Sequence, residues 1–310
     1  MKHIFIGICT LVSALVGLSS CDEERVTYSG PDYVMFSDSV LTFAIQNETD
    51  YHDVYVATTQ AVDYDRNYGV EVVSEESNAV EGKNFVVESN SVTIKAGERA
   101  AAFRIRGLFN SFEDTDSIGV TLRLVNKDQI WGAYGNKAKV TFQKIWPFNI
   151  DTFTGYCRIR SSYFQAYMPG VEYRLIKTER DPQNANNIIM KNFFYDGYDI
   201  KVNLSSEKPL EPMVTMDEQM ISTTAEAFAG SIWEDDILRM FLSPSYPSYF
   251  NVGQHFMVQY MTLYVKGIQQ QVGTYMNAIE WITQPEAKRM LQDRSTSNGL
   301  PKDDILNQRK

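Results

Sequence analysis

Ala138-Lys139-Val140-Thr141-Phe142-Gln143 alternates apolar and polar residues without a break. A period of two sets Ala138, Val140 and Phe142 on one face of a strand and Lys139, Thr141 and Gln143 on the other. One face can then be buried while the other stays in water. The same rhythm recurs upstream. Ile118, Val120, Leu122 and Leu124 are apolar, with Thr121 and Arg123 between the later ones, and Phe103 and Ile105 alternate with Arg104 and Arg106. Residues 54–58, 70–73 and 92–95 add β-branched side chains, with turn residues spaced between them. No helical stripe is sustained here, and residues 33–145 read as an antiparallel β-sandwich of about seven strands.

Ile145-Trp146-Pro147-Phe148-Asn149 marks a boundary, because proline interrupts strand pairing. The two aromatics beside it are expected to sit between domains. Strands return from 150 to 284, most clearly at 171–177, 188–195, 198–204 and 254–265. In the last of these Phe256, Val258 and Tyr260 share one face, with Met257, Met261 and Leu263 on the other. A strand apolar on both faces predicts cover on both sides. The chain as a whole is therefore all-β, its second half an antiparallel barrel or sandwich over 150–284. Thr283-Gln284-Pro285-Glu286 has capping-box spacing and predicts a short helix to about Gln292, and residues 293–310 read as a polar, disordered tail.

The first twenty residues carry an address. Met1-Lys2-His3 is a basic start, residues 4–18 are an apolar run too short for a membrane span of about 20 residues, and Leu18-Ser19-Ser20-Cys21 follows. This is the pattern of a signal peptide over residues 1–20. The cysteine after two small residues resembles a bacterial lipobox, which implies a diacylated Cys21 at the head of a tether over residues 21–32. Asp22-Glu23-Glu24 directly behind it resembles the export signal of Bacteroidetes lipoproteins. That resemblance implies a lipid-anchored protein of the outer membrane, exposed at the cell surface.

Charge and cysteine usage agree with such a setting. The chain carries a formal charge of −10, or −11 once Lys2 leaves with the signal, and no basic stripe, which argues against a nucleic-acid partner. Of its three cysteines, Cys9 leaves with the signal and Cys21 is the lipid site, so Cys157 has no partner for a disulfide. Stability must come from burial.

A family resemblance lies in the first half. Asn78-Ala79-Val80-Glu81-Gly82-Lys83-Asn84-Phe85 is followed by Ser91-Val92-Thr93-Ile94-Lys95-Ala96-Gly97-Glu98, then by Ser111-Phe112-Glu113-Asp114-Thr115-Asp116-Ser117. A glycine turn, a strand ending in Gly-Glu and an acidic loop in that order resemble a Calx-beta domain over about 33–144. Calx-beta domains of exchangers bind calcium through clustered carboxylates. Here Asn84 stands where an aspartate is common and Ser117 interrupts the acidic loop, so no calcium site is carried over. The second half resembles the uncharacterised C-terminal β domains that accompany such modules.

Sequence patterns for catalysis are absent: no HExxH, GxSxG, P-loop or GxGxxG occurs. Asp63-Tyr64-Asp65-Arg66-Asn67-Tyr68-Gly69 approaches an EF-hand loop, but its glycine is one place late, and it reads as a turn. His52 and His255 read as structural residues within strands. Glu234, Asp235 and Asp236 could serve a glycosidase only if two of them faced one cleft, and they read as a solvated turn. No catalytic residue, metal or cofactor is called for.

The more suggestive signal is aromatic residues among serines and prolines. Ser161-Ser162-Tyr163-Phe164-Gln165-Ala166-Tyr167-Met168-Pro169-Gly170 is one such stretch, and Ser243-Pro244-Ser245-Tyr246-Pro247-Ser248-Tyr249-Phe250-Asn251 is the other. A tyrosine offers a flat apolar face and a hydroxyl tip to a ligand. Tyr163, Tyr167, Tyr246, Tyr249 and Asn251 are the candidate ligand-binding residues, with Gln254 a further hydrogen-bonding group. The expected function is a non-enzymatic surface lipoprotein that binds a glycan or a partner protein, as in a nutrient-uptake assembly. The alternatives are a structural or adhesive protein without a small ligand, and a carboxylate-dependent glycosidase.

Overall fold

Along Lys137–Lys144 every second side chain is sealed from solvent, with Ala138, Val140 and Phe142 at 0% exposure. A computed structural model of the chain describes residues 28–113, 117–125, 130–131, 135–268, 271–291 and 296–299. The expected signal peptide over residues 1–20, the expected lipid site Cys21 and the acidic residues Asp114 and Asp116 lie outside the described residues.

The first half forms two facing sheets. Its strands are β1 (Val34–Phe36), β2 (Val40–Ile45), β3 (His52–Thr58), β4 (Arg66–Val72), β5 (Phe85–Val87), β6 (Ser91–Ile94), β7 (Ala100–Gly107), β8 (Ser117–Leu124) and β9 (Lys137–Lys144). One sheet runs β1-β3-β7-β5 and the other β2-β9-β8-β4-β6. Val54, Val56, Phe103 and Ile105 from the first meet Val120, Leu122, Val140 and Phe142 from the second in one core. Each such side chain contributes about 1.5–3 kcal/mol when fully buried. At the tether end, the buried Arg66 guanidinium pairs with Asp32 at 2.9 Å.

Two features depart from the sequence expectation. There are nine strands among the described residues rather than about seven, because β1 and β5 are three residues long and too short to show alternation. Nor is the sandwich wholly antiparallel, since β2 runs parallel to β9, from Val40 beside Lys139 to Ile45 beside Lys144. The chain changes sheets between Phe36 and Val40, and the new strand meets β9 travelling in the same direction.

The second half closes into a barrel. Its elements are β10 (Gly155–Ser161), α1 (Ser162–Tyr167), β11 (Tyr173–Arg180), β12 (Asn187–Met190), β13 (Ile200–Ser205), β14 (Met213–Thr215), β15 (Gln219–Ser222), α2 (Thr224–Ala227), β16 (Leu238–Leu242), β17 (Tyr249–Asn251), β18 (Phe256–Tyr264), β19 (Gly273–Trp281), α3 (Gln284–Met290) and β20 (Thr296–Asn298). Strands β18, β17, β14, β13, β12, β11, β10 and β19 pair in that order, and β19 returns to β18, giving eight strands around a filled interior. The nine residues of β18 accept two partners along one edge: β17 at Phe256 to Val258 and β16 at Met261 to Tyr264. β18 is sealed on one face by burial of Met257, Met261 and Leu263, while Phe256, Val258 and Tyr260 on the other are only half-buried.

Aromatic clusters stopper both ends of β10. Before it, Phe153 meets Phe250 at 5.2 Å and Trp281 at 4.9 Å. After it, Tyr163 stacks on Phe194 at 5.1 Å, and Phe194 on Phe193 at 4.4 Å. Inside, Ser161 Oγ donates to Asn277 Oδ1 at 2.6 Å and Asn277 Nδ2 donates to Gln259 Oε1 at 3.0 Å, a polar row across β10, β19 and β18. Cys157 is a fully buried free thiol whose pKa burial pushes well up, so it is an inert core residue. Thr283 caps α3, its Oγ1 accepting from the Glu286 N–H. The segment read as a polar tail contributes β20, which pairs in parallel with β11 from Tyr173 to Leu175, where β12 has already ended.

Candidate ligand-binding groove

The link between the halves shapes the candidate site. β9 ends at Lys144, and Pro147, lacking an N–H, cannot extend the ladder. Phe148 inserts into the barrel mouth, 5.5 Å from Phe250 and 6.1 Å from Phe153. Trp146 instead remains at the surface, 41% exposed. Its indole meets the edge of Phe109 at 5.5 Å, receives the Lys144 ammonium at 4.8 Å and lies over Gly253. The same ammonium donates to the Phe112 carbonyl at 3.0 Å, which orients it.

Facing Trp146 are the connection before β14 and the turn after β17. Between them and the sandwich runs a groove of about 600 Å³. Its walls include Trp146, Phe148, Leu210, Met213, Tyr249 and Phe250, and its polar groups include Gln46 and Gln143 from the sandwich with Asn251 and Gln254 from the barrel. Tyr249 and Met213 are 41% and 36% exposed. Asn251 Oδ1 accepts from the Gln254 N–H at 2.8 Å, which fixes the turn beside the groove. Lys144 and Glu211 are the charged residues of the lining. The volume and the mixture of apolar wall with a few convergent polar groups fit a small-molecule site.

Of the five candidate residues, Tyr249 and Asn251 line this groove. The other three do not converge there. Tyr246 is 55% exposed on the outer barrel wall, where it leans on Tyr260 at 5.4 Å. Tyr163 is 0% exposed and serves the core, its hydroxyl 2.9 Å from that of Tyr195. Tyr167 is half-buried, stacked on Tyr163 at 5.0 Å and edge-on to Phe228 at 5.4 Å. The stretch at 161–170 reads as an aromatic loop, yet it forms α1. Ser161 Oγ accepts from the Tyr163 N–H at 3.1 Å as a helix cap, and residues four apart then stack on one face. Burial therefore removes Tyr163 from any ligand surface.

Sequence reasoning missed Gln46, Gln143, Lys144 and Met213, because they lie in or just past ordinary strands and only the approach of the two halves brings them to the groove. Trp146 and Phe148 carried a signal, two large aromatics flanking a proline at a boundary.

The acidic triplet is engaged elsewhere. Arg239 donates to Asp235 at 2.6 Å and holds its carboxyl below the usual range. Asp236 accepts from Thr224 Oγ1 at 2.7 Å and from the Ala225 N–H at 2.9 Å, which likewise depresses its pKa. Glu234 sits in the turn at a positive φ of 47°. His255, expected within a strand, is exposed in the turn before β18 at φ 51°, and His52 lies in β3, stacked on Phe43 at 4.5 Å. Among the described residues, no three His, Cys, Asp or Glu side chains gather as metal ligands would.

Residues 133–293 match the family described as a domain of unknown function, DUF4984, which is just over half of the chain. The chain belongs to the DUF4984 family. The DUF4984 stretch takes in β9, the Trp146 link and the whole barrel up to α3, and of the groove's lining only Gln46 lies outside it. No curated protein matches the sequence. Among solved structures, a Bacteroides ovatus protein of unknown function is 10% identical, with 84% of this chain and 92% of that one covered at a TM-score of 0.33. An auxiliary nutrient binding protein from Bacteroides thetaiotaomicron is 12% identical over 78% of this chain and 89% of that one, at a TM-score of 0.26. The apo-form Calx CBD1 domain is 17% identical over 37% of this chain and 98% of that domain, at a TM-score of 0.30.

Proposed function

We propose that this DUF4984 protein is a non-enzymatic, lipid-anchored surface protein that captures a neutral glycan in the groove between its two halves, as one component of a nutrient-uptake assembly. The observation that carries the reading is the pairing of exposed Trp146 and Tyr249 with the amides of Gln46, Gln143, Asn251 and Gln254. Flat aromatic faces suit the apolar faces of sugar rings, and amides offer both donor and acceptor to hydroxyls. A glycosidase needs two carboxylates across the scissile bond. Among the described residues Glu211 is the single carboxylate lining the groove, which favours binding over cleavage. The anchor follows from the Leu18-Ser19-Ser20-Cys21 motif and the acidic residues behind it.

The test is a glycan array probed with residues 21–310 carrying Cys21→Ser, alongside the same chain with Trp146→Ala. Binding of a neutral glycan that the Trp146 variant loses at unchanged melting temperature supports the reading. A blank array, or binding indifferent to Trp146, overturns it.

A further inference from the structure

The groove does not end at Tyr249. Strand register carries a line of neighbouring residues outward across the barrel wall: Met213 on β14 pairs with Tyr249 on β17, Tyr249 with Val258 on β18, Val258 with Ala278 on β19, and Ala278 with Arg160 on β10. Paired residues share a face of the sheet. The next row, Phe250, Met257, Ile279 and Ile159, is buried to 0–1% exposure, so the Tyr249 row is the outward one. Its first member already lines the groove, and its last, Arg160, is exposed. Strands stand about 4.8 Å apart, so the line runs for about 19 Å.

The relief along this line is that of a furrow. Val258 and Ala278 are small and form the floor. On one side rises Phe256, two residues from Val258, with Tyr249 edge-on to it at 6.3 Å. On the other side Tyr260 pairs with Met276, and Tyr246 covers Tyr260. Tyr246, in the connection before β17, and Met276 on β19, beside Tyr260, are 55% and 46% exposed, large side chains left open around one half-buried ring.

We infer that this furrow is a second binding surface, continuous with the groove, and that it takes the extended chain of a polysaccharide whose end or bend lies in the groove. It rests on the glycan reading of the groove. The occupant follows from two features. Aromatic side chains flank the floor, Phe256 on one side, where the row goes on to the Glu280–Arg158 ion pair, and Tyr260 under Tyr246 on the other. The line also stays open to exposed Arg160 at its far end, so that chain length is not limited. Tyr249 and Asn251 stand at the junction, which is why a sugar leaving the groove meets the furrow first.

The experiment uses the chain of residues 21–310 with Cys21→Ser, run in native gels containing soluble starch, mixed-linkage β-glucan, mannan or xylan. Calorimetry follows with the di- and trisaccharides of whichever polymer retards it. Two variants test the furrow: Tyr246→Ala with Met276→Ala, both at exposed positions, and Ala278→Trp, which fills the floor. The double variant is expected to bind the polymer about tenfold more weakly while binding the short sugars within about twofold of the parent. Unchanged polymer affinity overturns the furrow, and so does equal weakening toward short and long sugars. If Trp146→Ala abolishes binding while both furrow variants match the parent, the groove stands and the furrow falls. If no polymer retards the parent, both fall together. A parent that sediments as a dimer, with a monomeric double variant, would assign the face to a second copy and overturn the inference.

Discussion

Trp146 rests so closely against Gly253 that a β-carbon added to the glycine would stand 2.4 Å from the indole Cδ1. One residue belongs to the link that leaves the sandwich, the other to the turn that follows β17 in the barrel. Their contact sets the tilt of the ring at the groove. Gly253→Ala should therefore swing the indole outward. Because Trp146 is 41% exposed, the ring can move at a stability cost within about 1 kcal/mol. Tryptophan emission should shift to the red and glycan affinity should fall about tenfold. Unaltered emission with unaltered affinity would count against a positioned indole.

The buried amide row should be the most sensitive polar feature of the barrel. Asn277 and Gln259 are both at 0% exposure and bond to each other, while Ser161 bonds to Asn277 and caps α1. Asn277→Ala strands two buried groups, and an unpaired buried polar group costs about 1–3 kcal/mol. Urea unfolding should show a loss at or above that range. A loss under about 0.5 kcal/mol would mean that water replaces the amide.

Tyr163 separates core from ligand roles. Tyr163→Phe removes only the bond to the Tyr195 hydroxyl, at about 1 kcal/mol, while Tyr163→Ala empties the aromatic stopper, at about 3–5 kcal/mol. Sugar binding by the Phe variant should match the parent. A selective loss of binding at intact stability would return Tyr163 to the ligand surface.

His52 gives the sandwich a dependence on pH. Burial holds its imidazole below the ordinary 6.5, against the raising influence of Asp50, the Ala44 backbone and Asp53. The folded state thus disfavours the proton that the unfolded chain accepts. Stability is complete above about 6.5 and declines as the pH falls below it, by linkage. His52→Phe keeps a ring against Phe43 and should flatten this part of the profile. An identical slope in parent and variant would exclude His52 as its source.

The proposed lipid anchor is tested by fractionation. Cys21→Ser should move the protein from the membrane to the soluble fraction, since two acyl chains supply durable anchoring. Retention on membranes would require another attachment.

Much of the strand content was legible, and the reasons are local. Period-two alternation marked β7, β8 and β9, and the Thr283–Glu286 spacing marked α3, because each signal lies within a few neighbouring residues. The parallel pairing of β2 with β9 was not legible, since it joins residues about a hundred positions apart. The same limit divided the candidate site. Tyr249 and Asn251 lie at the groove and Tyr163 does not, although all three stood in stretches of similar composition. Ser161 starts a helix at one stretch, and edge pairing to β18 governs the other.

By itself, then, the sequence determined the all-β character and the longer alternating strands, the change of character at Trp146-Pro147-Phe148 and the lipobox-like motif at Cys21. Tertiary structure alone decided that β18 meets β19 and closes eight strands into a barrel, and that Trp146 and Tyr249 line one groove. Alternation assigns a side chain to one face of its strand but names neither the partner strand nor the register. Those are selected by how two cores, distant in sequence, fill and seal each other.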